Sequence, residues 1–202
     1  MKIENIKIKG DAYIKCKSCF YSALVPIDEI YPYEFSVGVN KLVGEIDSRN
    51  WGISYLISMY PYLSRLERKT SRAYPLINNK EVSIQELSKY ACYMDEIYPL
   101  FSTKRTIRKL VSQGIKKSGM KEKPENIRDV FYIDPERFER PICGVGNERF
   151  KAMAAIAYCN QKEVFCFPWL SKKRFDYYHY NMLGLLEVLK SLKKVVILPV
   201  GE

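Results

Sequence analysis

No apolar run in this chain approaches the ~20 residues that a membrane span requires. The N-terminal stretch MKIENIKIKGDAYIK lacks the continuous apolar core of a signal peptide. It alternates polar and apolar residues instead, the pattern of a strand. Together these absences make the cytoplasm the expected location. No internal repeat or low-complexity segment occurs. The pair CKSC (Cys16, Cys19) has zinc or redox spacing, but no second pair follows closely. A structural zinc site wants four N/S ligands, so no metal is expected. Histidine occurs once, as His179 within YYHY, where a helix surface or a tyrosine cluster accounts for it.

What is present is an ordinary globular composition: 202 residues, 47% hydrophobic and 28% charged. Such a length buries roughly 70% of the unfolded surface. The six cysteines are expected as reduced thiols, with Cys166 in the core. The net charge is +10 and it is uneven. Lys104, Arg105, Arg108, Lys109, Lys116, Lys117, Lys121 and Lys123 face only Glu122, and Arg65, Arg68, Lys69 and Arg72 form a second cluster. Clusters of this kind suit an acidic protein, nucleic acid or an anionic lipid surface. A plain solvated basic face is the alternative. Tyr177, Tyr178 and Tyr180 beside Lys172, Lys173 and Arg174 fit either nucleic-acid stacking or a partner interface rich in Tyr and Arg.

Along the chain, residues 1–9 read as a strand, and β-like runs at 18–46 are split by Pro26 and Pro32. A helix is expected from about Ile53 to Arg68, kinked or broken at Pro61. PLINNKEVSI reads as a hairpin turning at Asn78-Asn79. Ser83 and Glu86 form a capping box opening IQELSKY. TIRKLVSQGIKK, PENIRDVFYI (Pro124 in its first turn) and PERFER (capped by Asp134) follow as helices. RFKAMAAIAYC and YNMLGLLEVLKSL are helices too, and EVFCF and KVVILPV are buried strands. This order predicts an α/β core with mostly parallel strands, an N-terminal antiparallel β region and a small helical lobe at about 104–140, in one domain over 1–202.

The order also resembles the nucleotide-binding domain of ABC-type ATPases, a P-loop NTPase-like fold. LVGEIDSRNWGISYLI resembles the phosphate (Walker A) loop and its helix. YPLINNKEVSIQELSKYACYMDEIYPLF is similar to the hairpin, short helix and Q-loop strand, with Glu96 at the glutamine and Phe101 at the usual Phe. GVGNERFKAMAAIAY resembles the signature motif and its helix. EVFCFPWLS resembles the second Walker strand, and VVILPVG the strand leading to the switch histidine. The resemblance implies nucleotide-site positions at Gly44, Ser48, Arg49, Asn50, Trp51, Glu96 and Gly146.

The chemistry those positions need is missing. A phosphate loop uses glycines to converge backbone N–H groups on phosphate, a lysine for charge and a hydroxyl for Mg²⁺. Here Arg49, Asn50 and Trp51 stand at the second glycine, the lysine and the hydroxyl, with Asp47 adding negative charge. Trp51 is expected to fill the phosphate space. The acidic pair that would organise Mg²⁺ and polarise water reads Pro168 and Trp169. The switch histidine reads Gly201, the signature serine Val145 and its second glycine Asn147. The Walker A motif is thus degenerate, and ATP and Mg²⁺ binding are expected to be lost. The resemblance then implies a non-hydrolysing subunit, a pseudoenzyme with no catalytic residues. It would bind or scaffold in an ABC transporter-type complex, with a permease-like membrane protein or a second ATPase-like subunit as partner. The basic segment containing Lys104, Arg105, Arg108, Lys109, Lys116, Lys117 and Lys121 is the expected contact. Such a chain would be peripheral to the membrane through its partner. Two alternatives stand beside it: a divergent ATPase that still binds nucleotide, and a nucleic-acid-binding regulator using the basic lobe.

Overall fold

The computed structural model describes residues 2–10, 12–17, 22–27, 33–44, 50–63, 73–101 and 104–202. The cluster Arg65, Arg68, Lys69 and Arg72 and residues Cys19, Asp47, Ser48 and Arg49 lie outside them, as do the side chains of Cys16, Asn50, Trp51 and His179.

The centre is a four-stranded sheet of β5 (Gly38–Val43), β10 (Val195–Val200), β9 (Val164–Cys166) and β8 (Ala91–Tyr93), in that spatial order. Every pairing in it is parallel. Parallel strands buried on both faces must be apolar throughout. The run VVILPV meets that demand, being buried at every position. Helix α1 (Asn50–Met59) follows β5 and is buried from Gly52 to Met59, because it packs against β8, β9 and β10 and against α2 (Ile84–Tyr90).

A second sheet is antiparallel, in the order β4 (Tyr33–Ser36), β1 (Asn5–Lys9), β6 (Tyr74–Ile77), β7 (Lys80–Glu81). Ile6 and Ile8 of β1 point into the core while their neighbours are less buried, as the alternation predicts. The turn between β6 and β7 sits on Asn78 and Asn79 at φ 50° and 65°, both left-handed. The Asn78 side chain accepts from the backbone N–H of Glu4 and of Asn5, tying the turn to the chain start.

Two expectations are corrected here. The N-terminal strand is divided: Gly10 turns at φ 85°, and β2 (Ala12–Lys17) leaves to form a separate antiparallel hairpin with β3 (Ser22–Ile27). Pro26 lies inside β3, where it pairs with Tyr13, rather than splitting a strand. A two-stranded hairpin has an outer edge that needs no N–H, which is where proline is tolerated. The helix expected from about Ile53, kinked or broken at Pro61, is broken there: α1 ends at Met59 and a 3₁₀ turn over Tyr60–Tyr62 carries Pro61, while residues 64–68 of the expected span lie outside the described residues. Proline lacks the N–H that would continue the α-helical ladder.

The middle of the chain is helical: α3 (Ile107–Ser118), α4 (Pro124–Val130), α5 (Pro135–Phe138) and α6 (Arg149–Cys159). Thr106 caps α3 by accepting from the Lys109 N–H, and Ser83 caps α2 the same way at Glu86. Asp134 accepts from the N–H groups of Glu136 and Arg137 at the start of α5. Helix α3 lies directly on α6, with Ile107, Leu110, Val111 and Gly114 buried. After β9 come α7 (Lys172–Tyr177) and α8 (His179–Ser191), before β10 closes the sheet. Among the described residues no helix is long and apolar enough to cross a membrane.

Candidate functional site

In a parallel sheet the strand ends that face one edge come from distant points in the sequence, and that edge is where ligands bind in α/β folds. Here the carboxyl ends of β5, β9 and β10 meet at Gly44, Trp169 and Gly201. They are tied by backbone bonds: Gly44 N–H to the Val200 carbonyl at 3.0 Å, Leu170 N–H to Pro199 at 3.1 Å, and Gly201 N–H to Leu170 at 2.8 Å. Leu170 also bridges Val200 in parallel, so pairing resumes beyond Pro168.

Trp169 is the side chain set into this junction. It is buried, and its indole N–H donates to the Gly44 carbonyl at 3.0 Å. On its other side, a Cβ built on Gly201 would lie 2.9 Å from the indole Cζ2 and 3.3 Å from the Lys172 backbone nitrogen. The ring therefore fits only because position 201 has no side chain. So the position where the resemblance puts a water-polarising carboxylate holds an apolar ring whose single donor is used within the fold. The corresponding histidine position is filled up to its backbone. Trp51, expected to fill the phosphate space, has its backbone in the first turn of α1, and its side chain lies outside the described residues.

Glu96, just beyond β8, lies 3.4 Å from the guanidinium of Arg149, the first residue of α6. Arg149 also donates to the Tyr178 hydroxyl at 3.1 Å and lies over the Phe150 and Tyr178 rings, at 5.3 and 5.4 Å. The Phe150 ring meets Phe167, just past β9, at 5.5 Å. This cluster ties the segment after β8, the start of α6 and the α7–α8 junction together, with the Glu96 charge facing a guanidinium. Sequence reasoning names Glu96 but misses Arg149 and Tyr178 as its partners. Two signals pointed toward them: a basic residue after GVGNE and a tyrosine cluster near 178.

The signature-like segment is a pair of 3₁₀ turns, Ile142–Gly144 and Gly146–Glu148, leading into α6. Gly146 is exposed with φ 56°, a left-handed conformation suited to glycine. Val145 points inward and is buried. Asn147 accepts from Arg137 at 3.0 Å, and Glu148 pairs with the same arginine at 3.5 Å. The segment's polar groups are thus engaged along its own flank.

The basic residues of the helical region separate into two kinds. Arg108 is held by Glu125 and Glu139 together and leans on the Phe138 ring, and Arg105 donates to Gln113 at 3.0 Å. Lys104, Lys109, Lys116, Lys117 and Lys121 are exposed. The basic surface is therefore a lysine face with Arg108 locked beneath it. Of the cysteines, Cys92, Cys159 and Cys166 are buried free thiols and Cys143 is exposed and free. Burial pushes the Cys92 and Cys159 thiols up to about 12 and the Cys166 thiol well above its usual value. Those three thiols stay protonated and behave as core apolar groups. Among the described residues no three His, Cys, Asp or Glu side chains converge.

No family profile and no curated protein matches the chain. Solved structures do match it. A Pyrococcus furiosus protein assigned as an ABC-transporter ATP-binding protein superposes with a TM-score of 0.60 at 14% identity, over 98% of this chain and 92% of that one. CbiO1 of Clostridium perfringens, part of the ABC transporter complex CbiONQ, superposes with a TM-score of 0.64 at 11% identity, over all of this chain and 80% of its own. A bacterial Atm1-family ABC exporter solved with ATP bound gives 0.55 at 11% identity, over 99% of this chain and 34% of the exporter. At these identities the likeness is one of fold: the chain has the α/β architecture of ABC-type ATP-binding domains.

Proposed function

We propose that this chain is a non-hydrolysing ABC ATPase-like subunit that acts by binding a partner within a transporter-type complex. One observation carries the reading: the Trp169 indole bonded to the Gly44 carbonyl and packed on Gly201. A carboxylate placed there would polarise water, whereas an indole has no basic atom to offer. Asn50, Trp51, Pro168 and Val145 stand where the resemblance puts the lysine charge, the metal ligands and the γ-phosphate contact, which supports the same reading. CbiO1 is part of a transporter complex, and the shared fold supports a comparable assembly here, with a permease-like membrane protein or a second ATPase-like chain as partner.

Purified protein is expected to show no thermal shift with Mg-ATP at about 5 mM, because stabilisation follows RT ln(1 + [L]/Kd) and vanishes without occupancy. It is also expected to release no phosphate above background. A micromolar Kd by calorimetry would replace this reading with that of a divergent nucleotide-binding ATPase.

The partner face proposed is the exposed lysine surface. Charge reversal of Lys109, Lys116 and Lys121 to Glu is expected to reduce recovery of the partner in affinity purification from native cells. The melting temperature should hold, since exposed charges contribute roughly 0–1 kcal/mol each. Undiminished recovery would remove this face from the interface. Salt-sensitive binding of duplex DNA by the parent, lost in the variant, would assign the face to nucleic acid instead.

A further inference from the structure

Far from Gly44, at the amino edge of the parallel sheet, lies a cavity of about 360 Å³ lined by Lys89, Lys117, Lys162, Tyr62, Tyr98 and Asn160, with Pro99 and Leu100 completing its wall. Its position follows from chain order: Lys89 and Lys162 each lie two residues before the start of a strand, β8 and β9. Three ammonium groups share it. Lys89 is neutralised by Glu86 at 2.5 Å. Lys117 and Lys162 have no carboxylate partner among the described residues. Lys162 Nζ gives one proton to the Lys89 carbonyl at 2.6 Å, at the carboxyl end of α2, and lies 6.0 Å from the centre of the Tyr98 ring. An ammonium has three donors, so two remain.

We propose that this cavity is a binding site for a small phosphate-bearing anion, with Lys117 and Lys162 holding the phosphate and the Tyr62 and Tyr98 rings lining the side where the rest of the molecule lies. Lysine acts as a point-charge phosphate binder, and a half-buried Lys162 beside an exposed Lys117, neither with a carboxylate among the described residues, is an arrangement that an anion completes. Burial lowers the pKa of Lys162; the neighbouring Cys92 opposes this, and the charge of Lys117 adds a lesser push downward. A bound dianion would relieve both costs. Tyr98 spends its hydroxyl on the Ala91 carbonyl at 3.0 Å and stands edge-on to Tyr62 at 5.7 Å, which leaves ring surface to line the cavity. The volume exceeds what inorganic phosphate fills and falls within the usual range of small-molecule sites.

Calorimetry at fixed ionic strength with inorganic phosphate, pyrophosphate and phenyl phosphate tests this. Saturable binding of at least one probe is expected. Lys117→Gln, which removes an exposed lysine with no carboxylate partner among the described residues, should raise Kd roughly fivefold or more. Lys116→Gln, on the same helix but outside the cavity, should leave Kd unchanged. Lys162→Gln is expected to weaken binding further, and if it fails to fold, the Lys117→Gln result decides alone. Tighter binding of phenyl phosphate than of phosphate would identify an organic phosphate as the occupant. Equal binding of the two would identify the free anion. No binding of any probe, or equal loss in Lys116→Gln and Lys117→Gln, would overturn the proposal. Either result leaves the Mg-ATP measurement unaffected, because none of the lining residues touches the Gly44–Trp169 junction.

Discussion

Replacing Trp169 by alanine is expected to lower stability by about 3–5 kcal/mol, the range for removing a large aromatic from a core. The ring closes the junction of three strand ends, and nothing nearby can move in. Gly201 and the Lys172 backbone are fixed by the bonds around Leu170. Trp169→Phe separates two contributions. It keeps most of the apolar contact but leaves the buried Gly44 carbonyl without its donor, a loss of about 1–3 kcal/mol. Chemical denaturation should therefore rank parent above Trp169→Phe above Trp169→Ala, with similar denaturant slopes. An alanine variant as stable as the parent would show that the indole is not a structural plug, and the main support for the non-hydrolysing reading would fall with it.

Gly114→Leu is expected to be comparably damaging. A Cβ at this position would lie 2.7 Å from the Cys159 Cβ, 2.8 Å from the Asn160 side-chain nitrogen and 3.0 Å from the Cys159 backbone carbon. Those atoms belong to α6 and its end, and a helix backbone does not yield by several tenths of an ångström without shifting as a unit. Gly114→Ala sets two effects against each other. Removing glycine from a helix interior gains about 0.5–1 kcal/mol, while overpacking costs about 1–3 kcal/mol. The clash is with fixed atoms, so it wins and alanine destabilises modestly. Leucine adds volume where α3 and α6 are already in contact, and its loss should exceed about 3 kcal/mol. Thermal melts of both variants check the order. An alanine variant more stable than the parent would mean that α3 can tilt away from α6.

The local signals in the sequence translate directly into structure. Asn78-Asn79, Ser83 and Asp134 are each a short-range arrangement in which side chain or backbone preference fixes a turn or cap, and each is found as expected. The apolar runs EVFCF and KVVILPV become adjacent parallel strands, as their burial on both faces demands. The end of α1 at Met59 was less legible, because one proline can kink a helix or end it and the choice depends on what packs beyond. The site was only half legible. Departures from the pattern that the resemblance implies can be read one position at a time. What replaces them cannot, because the bond from Trp169 to Gly44 spans 125 residues of chain and exists only once β5 and β9 flank β10. The Glu96–Arg149–Tyr178 group has the same character, joining residues 53 and 29 apart.

The contact between Trp169 and Gly201 limits which side chains this edge can accept one at a time. A histidine introduced at 201 alone meets the indole at its first side-chain carbon. A glutamate introduced at 169 alone sets a carboxylate where a donor met the Gly44 carbonyl, so two oxygens face each other in a cavity left by the ring. Each change is harmful while the other position is unchanged. The two positions are interlocked by packing: exchanging both runs through a destabilised single variant, and a marginally stable domain has little stability to lose.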